Sequence, residues 1–132
     1  FGPIHLLFNL WNLYNIGGVI EIRRGTWRLA LLVLATEIIS NLAQWFYTRY
    51  PLFGGMSGVL YGLFGYAWMK SRYEPGVGIY LPRDVVVIMI AWLFLCMTGR
   101  VGPIANAAHV AGFVVGIVVG IAPFLWRKIF RR

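Results

Sequence analysis

Charge is scarce in this sequence and acidic charge scarcest of all: of 132 residues, 12% are charged, and Asp and Glu together number 4. A soluble domain carries about 25% charged and about 45–50% apolar residues, whereas this chain is 60% hydrophobic. That balance excludes an ordinary soluble domain and points to an integral membrane protein. A single cysteine, Cys96, rules out an internal disulfide and leaves the redox compartment unread. No Ser/Pro-rich or charged linker interrupts the chain, so residues 1–132 read as one domain. The amino terminus also lacks the basic stretch and small-residue cleavage site of a signal peptide. It starts at Phe1, in a segment already apolar, as expected of a fragment or a processed product. No metal site and no cofactor are expected.

A formal net charge of +8 would suggest a nucleic-acid partner in a soluble protein. Here the basic residues sit in short segments between apolar runs, which is the pattern of membrane topology, so the lipid bilayer is the expected partner and nucleic acid is not. Apolar stretches cover residues 4–20, 29–47, 59–69, 85–98 and 105–126. The expected fold is all-α: a polytopic bundle of five transmembrane helices, the third and fourth short against the roughly 20 residues that a span needs. If the chain enters from outside, Arg23, Arg24, Arg28, Lys70, Arg72, Arg83, Arg127, Lys128, Arg131 and Arg132 fall on the cytoplasmic side, and only Arg49 and Arg100 fall outside. The bias predicts an external amino terminus and a cytoplasmic carboxyl terminus.

The short third segment places a serine below the outer surface. Measured from Lys70, Ser57 lies roughly 20 Å up a helix, against roughly 30 Å of hydrocarbon. The preceding residues, 51–56, have loop chemistry, and non-helical backbone at that depth survives only against protein or a water-filled cavity. Two histidines exist, His5 and His109. His109 stands roughly 27 Å along its helix from Arg127, in the same outer half of the membrane, where an ionisable group is costly and functional by default; the plainer alternative is a structural histidine. Ala108, Gly112, Gly116 and Gly120 recur every four residues, and Gly58 and Gly62 form a matching stripe, so the two helices can approach closely. His5, Asn9 and Asn12 share a helical face, and with Ser40, Asn41 and Gln44 they suggest a polar chamber open to the exterior; the alternative is inter-helix hydrogen bonding.

Gly55-Met56-Ser57-Gly58 fits G-x-S-G, His5-Leu6-Leu7-Phe8-Asn9 fits H-x-x-x-N, and Asn106-Ala107-Ala108-His109 with Gly112 and Gly116 fits A-H-x-x-G-x-x-x-G. Glu21, Arg23 and Gly25 fit an E-x-R-x-G turn. In order and spacing these blocks resemble the rhomboid intramembrane serine proteases. The resemblance implies a six-helix core of which this chain corresponds to helices two to six, without the first helix and first external loop.

It further implies a serine endopeptidase cutting transmembrane protein substrates in or near their spans. Ser57 would be the nucleophile and His109 the general base of a dyad working through an acyl-enzyme. Carried over in the same way, His5, Asn9 and the Ser57 backbone N–H would hold the oxyanion. Tyr61 would pack on the imidazole, with Gly55, Gly58, Asn106 and Gly112 in support. Residues 98–106 would form a mobile cap. Glu21, Glu74 and Asp84 fall on the cytoplasmic side, and Glu37, roughly 14 Å above Arg28, is expected to pair or pack within the bundle, so no carboxylate completes a triad. The resemblance favours a bacterial inner membrane, with the site opening to the periplasmic side. An inactive relative would have lost Ser57 or His109, and a transporter would call for an inverted repeat that is not seen. Oligomeric state is not legible.

Overall fold

The computed structural model describes residues 2–49, 56–102 and 104–131, and among these it is helical, with no strand. Helix α1 (Pro3–Asn12) runs through a π-helical turn (Leu13–Gly17) into α2 (Gly18–Arg24), forming a single rod. Then come α3 (Thr26–Thr48), α4 (Ser57–Tyr73), a 3-10 turn (Pro75–Val77), α5 (Arg83–Met97) and α6 (Asn106–Phe130). The five rods match the five apolar stretches. By length and composition, α3 and α6 are the two described helices able to cross a membrane alone.

The first rod is read from its hydropathy as one helix, but it widens by one residue per turn at Leu13–Gly17. A wide turn loosens the backbone ladder, and polar side chains answer it: Asn12 Nδ2 donates to the Phe8 carbonyl at 2.9 Å and Asn15 Nδ2 to the Trp11 carbonyl at 2.7 Å. Asn12 therefore bonds its own helix. At the other end, the Gly25 N–H bonds the Glu21 carbonyl at 2.7 Å with φ +93°, a conformation that favours glycine, and Thr26 donates to Glu21 Oε1 at 2.9 Å. The E-x-R-x-G block is thus the corner that reverses the chain.

Helix α4 is the axis of the molecule. Every residue from Gly58 to Ala67 is buried, and the helix is packed most extensively against α6, with α3 lying across both. The contact runs backbone on backbone. A Cβ on Gly112 would overlap the Gly58 carbonyl, one on Gly116 the Gly62 carbonyl, and one on Gly120 would come within 2.9 Å of Met69 Cβ. Small residues four apart keep one face of each helix clear, so dispersion between the backbones can hold them together where no hydrophobic drive operates. Helix α3 fills the groove with Leu32, Thr36, Ser40 and Gln44, all buried and again four apart. By contrast, α1 buries only Asn9, and α5 only Leu93 and Cys96.

Lys70, read from sequence as the cytoplasmic limit of its helix, is 1% exposed and lies inside the bundle, paired with Glu74, which also pairs with Arg127. Arg24 Nε donates to the Tyr66 hydroxyl at 3.2 Å beside them. A cation can be buried there because a carboxylate one turn on compensates it. The helix runs on to Tyr73, three residues past Lys70, and its 17 residues span roughly 25 Å.

Candidate active site

Ser57 is the first residue of α4 and is half-buried. The ladder of α4 begins with Leu60 N–H on the Met56 carbonyl at 2.9 Å, so the Ser57 N–H stands ahead of it, among the amides that a helix start leaves without intrahelical acceptors. Gly55, and residues 51–55 generally, lie outside the described residues.

His109 is buried on the first turns of α6. Its neighbour Ala108 presents its carbonyl 3.1 Å from where a Cβ on Gly58 would be. Ser57 and His109 therefore flank one point of backbone contact. Tyr61, one turn along α4 from Ser57, brings its ring to 4.9 Å from the imidazole, tilted by 38°. The tyrosine is fixed in turn by its hydroxyl, which donates to the Met89 carbonyl of α5 at 3.2 Å, and by edge contacts with Phe64 and Phe113. A buried ring held at three points gives the imidazole a fixed wall.

Among the described residues no hydrogen bond joins the Ser57 hydroxyl to the imidazole, and His109 Nδ1 is buried without a partner. Among the described residues no carboxylate reaches that nitrogen. Glu37, the acid expected to pair within the bundle, is half-buried and accepts from Asn41 Nδ2 at 2.6 Å on its own helix. On α1, Asn9 is buried with its Nδ2 3.5 Å from His5 Nε2. Asn106 Nδ2 donates to the Cys96 carbonyl at 3.2 Å and so ties the start of α6 to the end of α5. The segment between them turns through Gly99 (φ +74°) and Gly102 (φ +101°); Pro103 lies outside the described residues.

Two polar residues expected to line a chamber do something else. Ser40 is buried against Gly58 and donates to the Glu37 carbonyl at 3.2 Å. Gln44 is buried, and its Oε1 accepts the Ala108 N–H at 3.1 Å. Helix α6 has no side-chain cap of its own at Ala105, so Gln44 supplies from α3 the acceptor that a start residue would ordinarily provide. Thr36, wholly buried, completes the stripe by donating to the Leu32 carbonyl at 2.7 Å. The spacing of 36, 40 and 44 was the available signal. It marks one helical face, but whether that face meets water or another helix depends on the neighbour.

Residues 1–126 match the family of the Rhomboid domain. Over 126 residues the chain is 36% identical to the rhomboid protease GlpG of Enterobacter sp. (strain 638), covering 95% of this chain and 45% of the relative. It is 34% identical to the rhomboid protease GlpG of Salmonella paratyphi A (strain ATCC 9150 / SARB42), with the same coverage. The chain thus spans about half the length of the curated relatives it matches. A helical bundle knitted by glycine contacts, with a serine and a histidine on either side of one of them, and a match along nearly its whole length lead to one assignment: this chain belongs to the rhomboid family.

Proposed function

We propose that this protein is an intramembrane serine endopeptidase that hydrolyses peptide bonds in or near the transmembrane segments of membrane-protein substrates. The observation that supports it most is the meeting of α4 and α6 at Gly58 and Ala108, next to Ser57 and His109, with Tyr61 walling the imidazole. Ser57 Oγ attacks the scissile carbonyl while His109 takes its proton, and the imidazolium returns that proton to the leaving amine; water then hydrolyses the acyl-enzyme. The Ser57 N–H, His5 and Asn9 stabilise the tetrahedral oxyanion. With no carboxylate on Nδ1, the pair works as a dyad whose base is oriented by the Tyr61 ring. Catalytic hydrogen bonds are often open before substrate binds and tighten in the complex, so the unbonded serine is compatible with this role.

Residues 1–132 act here as one domain corresponding to helices two to six of the family core. The family resemblance favours a bacterial inner-membrane location, and the charge bias supports a cytoplasmic carboxyl terminus with the site opening to the periplasm. A fluorophosphonate probe on the detergent-solubilised protein tests the chemistry. The expected adduct is on Ser57, absent from both the Ser57→Ala and the His109→Ala variants. Undiminished labelling of His109→Ala would remove the proposed base.

A further inference from the structure

A groove of about 310 Å³ opens between the last turns of α2 and the loop joining α4 to α5, at the end of the bundle remote from Ser57, lined by Val19, Ile22, Arg23, Gly78 and Tyr80. Its walls and its head differ in chemistry. Ile22 and Tyr80 are 82% and 78% exposed, and with Val19 they present an apolar strip to whatever surrounds the helices. The head is the Arg23 guanidinium, which lies along the Gly78 backbone: a Cβ there would stand 3.2 Å from its Cζ and Nε and 3.3 Å from Nη1. Gly78 has φ +81°, so the turn favours glycine on both conformational and steric grounds, and the guanidinium rests on the bare backbone.

Among the described residues no carboxylate forms an ion pair with this cation. Both ion pairs among the described residues go to Glu74, and Glu21, two residues from Arg23, is engaged by Thr26. The same end of the bundle also carries Arg24 and Arg28, whereas Lys70 and Arg127 are paired with Glu74. An unpaired guanidinium at the mouth of an apolar groove, with further arginines at the same end of the bundle, is complementary to an amphiphile with an anionic head.

We infer that this groove binds one anionic glycerophospholipid, its phosphate on Arg23 with the Tyr80 hydroxyl within the same headgroup layer, and its acyl chains along Val19 and Ile22. Basic pockets between membrane helices hold anionic headgroups in this way. A free phosphate would use the guanidinium but leave the apolar walls unused. The inference does not depend on the catalytic reading, since the site and its ligand stand apart from Ser57.

Native mass spectrometry on the full chain in neutral detergent, titrated with phosphatidylglycerol, phosphatidylcholine or inorganic phosphate, tests it. The expected result is one tightly retained phosphatidylglycerol, not displaced by millimolar phosphate and not matched by phosphatidylcholine. Arg23→Gln should weaken retention about fivefold, the order of effect of one cation at an anionic surface. Tyr80→Ala, at an exposed position where folding is not at risk, should weaken it as well. Arg72→Gln, an exposed cation of the same end but outside the groove, should leave it unchanged. Equal losses in Arg23→Gln and Arg72→Gln would mean diffuse surface attraction and overturn the site, as would full competition by phosphate or equal retention of phosphatidylcholine.

Discussion

Gly112→Ala puts a methyl group into one of the two tightest glycine contacts of the bundle. The new Cβ would lie 2.8 Å from the Gly58 carbonyl carbon, whereas carbon atoms rest at about 3.5–4.0 Å. The helices must therefore part locally by at least about 0.7–1.2 Å, the Gly58 carbonyl oxygen being nearer still, because both sides of the contact are backbone and neither can rotate away. Overpacking of that kind costs about 1–3 kcal/mol. Gly116→Ala meets the Gly62 carbonyl carbon at 2.7 Å and carries a similar stability cost, but it lies one turn further from His109. The pair separates stability from alignment. Both variants should unfold more easily on heating in detergent, and to a similar extent. Only Gly112→Ala shifts the backbone beside Ser57, where a misplacement of about 1 Å is worth about 10²-fold in rate. The assay is the second-order rate of fluorophosphonate labelling measured well below the unfolding midpoint. Equal labelling rates in the two variants would refute the link between this contact and the site. Unchanged unfolding in both would refute the tight contact itself.

Gln44→Leu removes the acceptor of the Ala108 N–H and strands a buried donor at the start of α6, which should destabilise the protein by about 1–3 kcal/mol; Gln44→Glu, which keeps an acceptor oxygen, should be less harmful than leucine, and the reverse order in a thermal-unfolding comparison would count against the capping role. Glu74→Gln leaves Lys70 buried without its counter-ion and is expected to cost about 3–5 kcal/mol. Arg127→Gln should cost much less, because that side chain is 45% exposed and solvent already screens it. Equal losses in unfolding free energy for the two variants would show that Lys70 does not depend on Glu74.

What could be read from the chain by itself was everything set by one-dimensional spacing and composition: five helical rods from the apolar runs, the glycine stripes at intervals of four, the corner at Gly25, and the family blocks at His5/Asn9, Ser57 and His109. Those signals are local, because a helix converts sequence interval directly into face and height. What needed the folded structure was which faces meet. Ser40 and Gln44 share a helical face whether they line water or cap a neighbouring helix, and only the position of Ala108 on α6 turns Gln44 into a cap. Lys70 ends a hydrophobic run in sequence yet sits inside the bundle, because Glu74 pairs with it and the Tyr66 ring faces its ammonium. The π-helical turn at Leu13–Gly17 also escaped the hydropathy pattern, which records where apolar residues fall and not how many residues the backbone spends on a turn. A burial cost or a hydrogen bond is a property of two surfaces, and a single sequence interval describes only one of them.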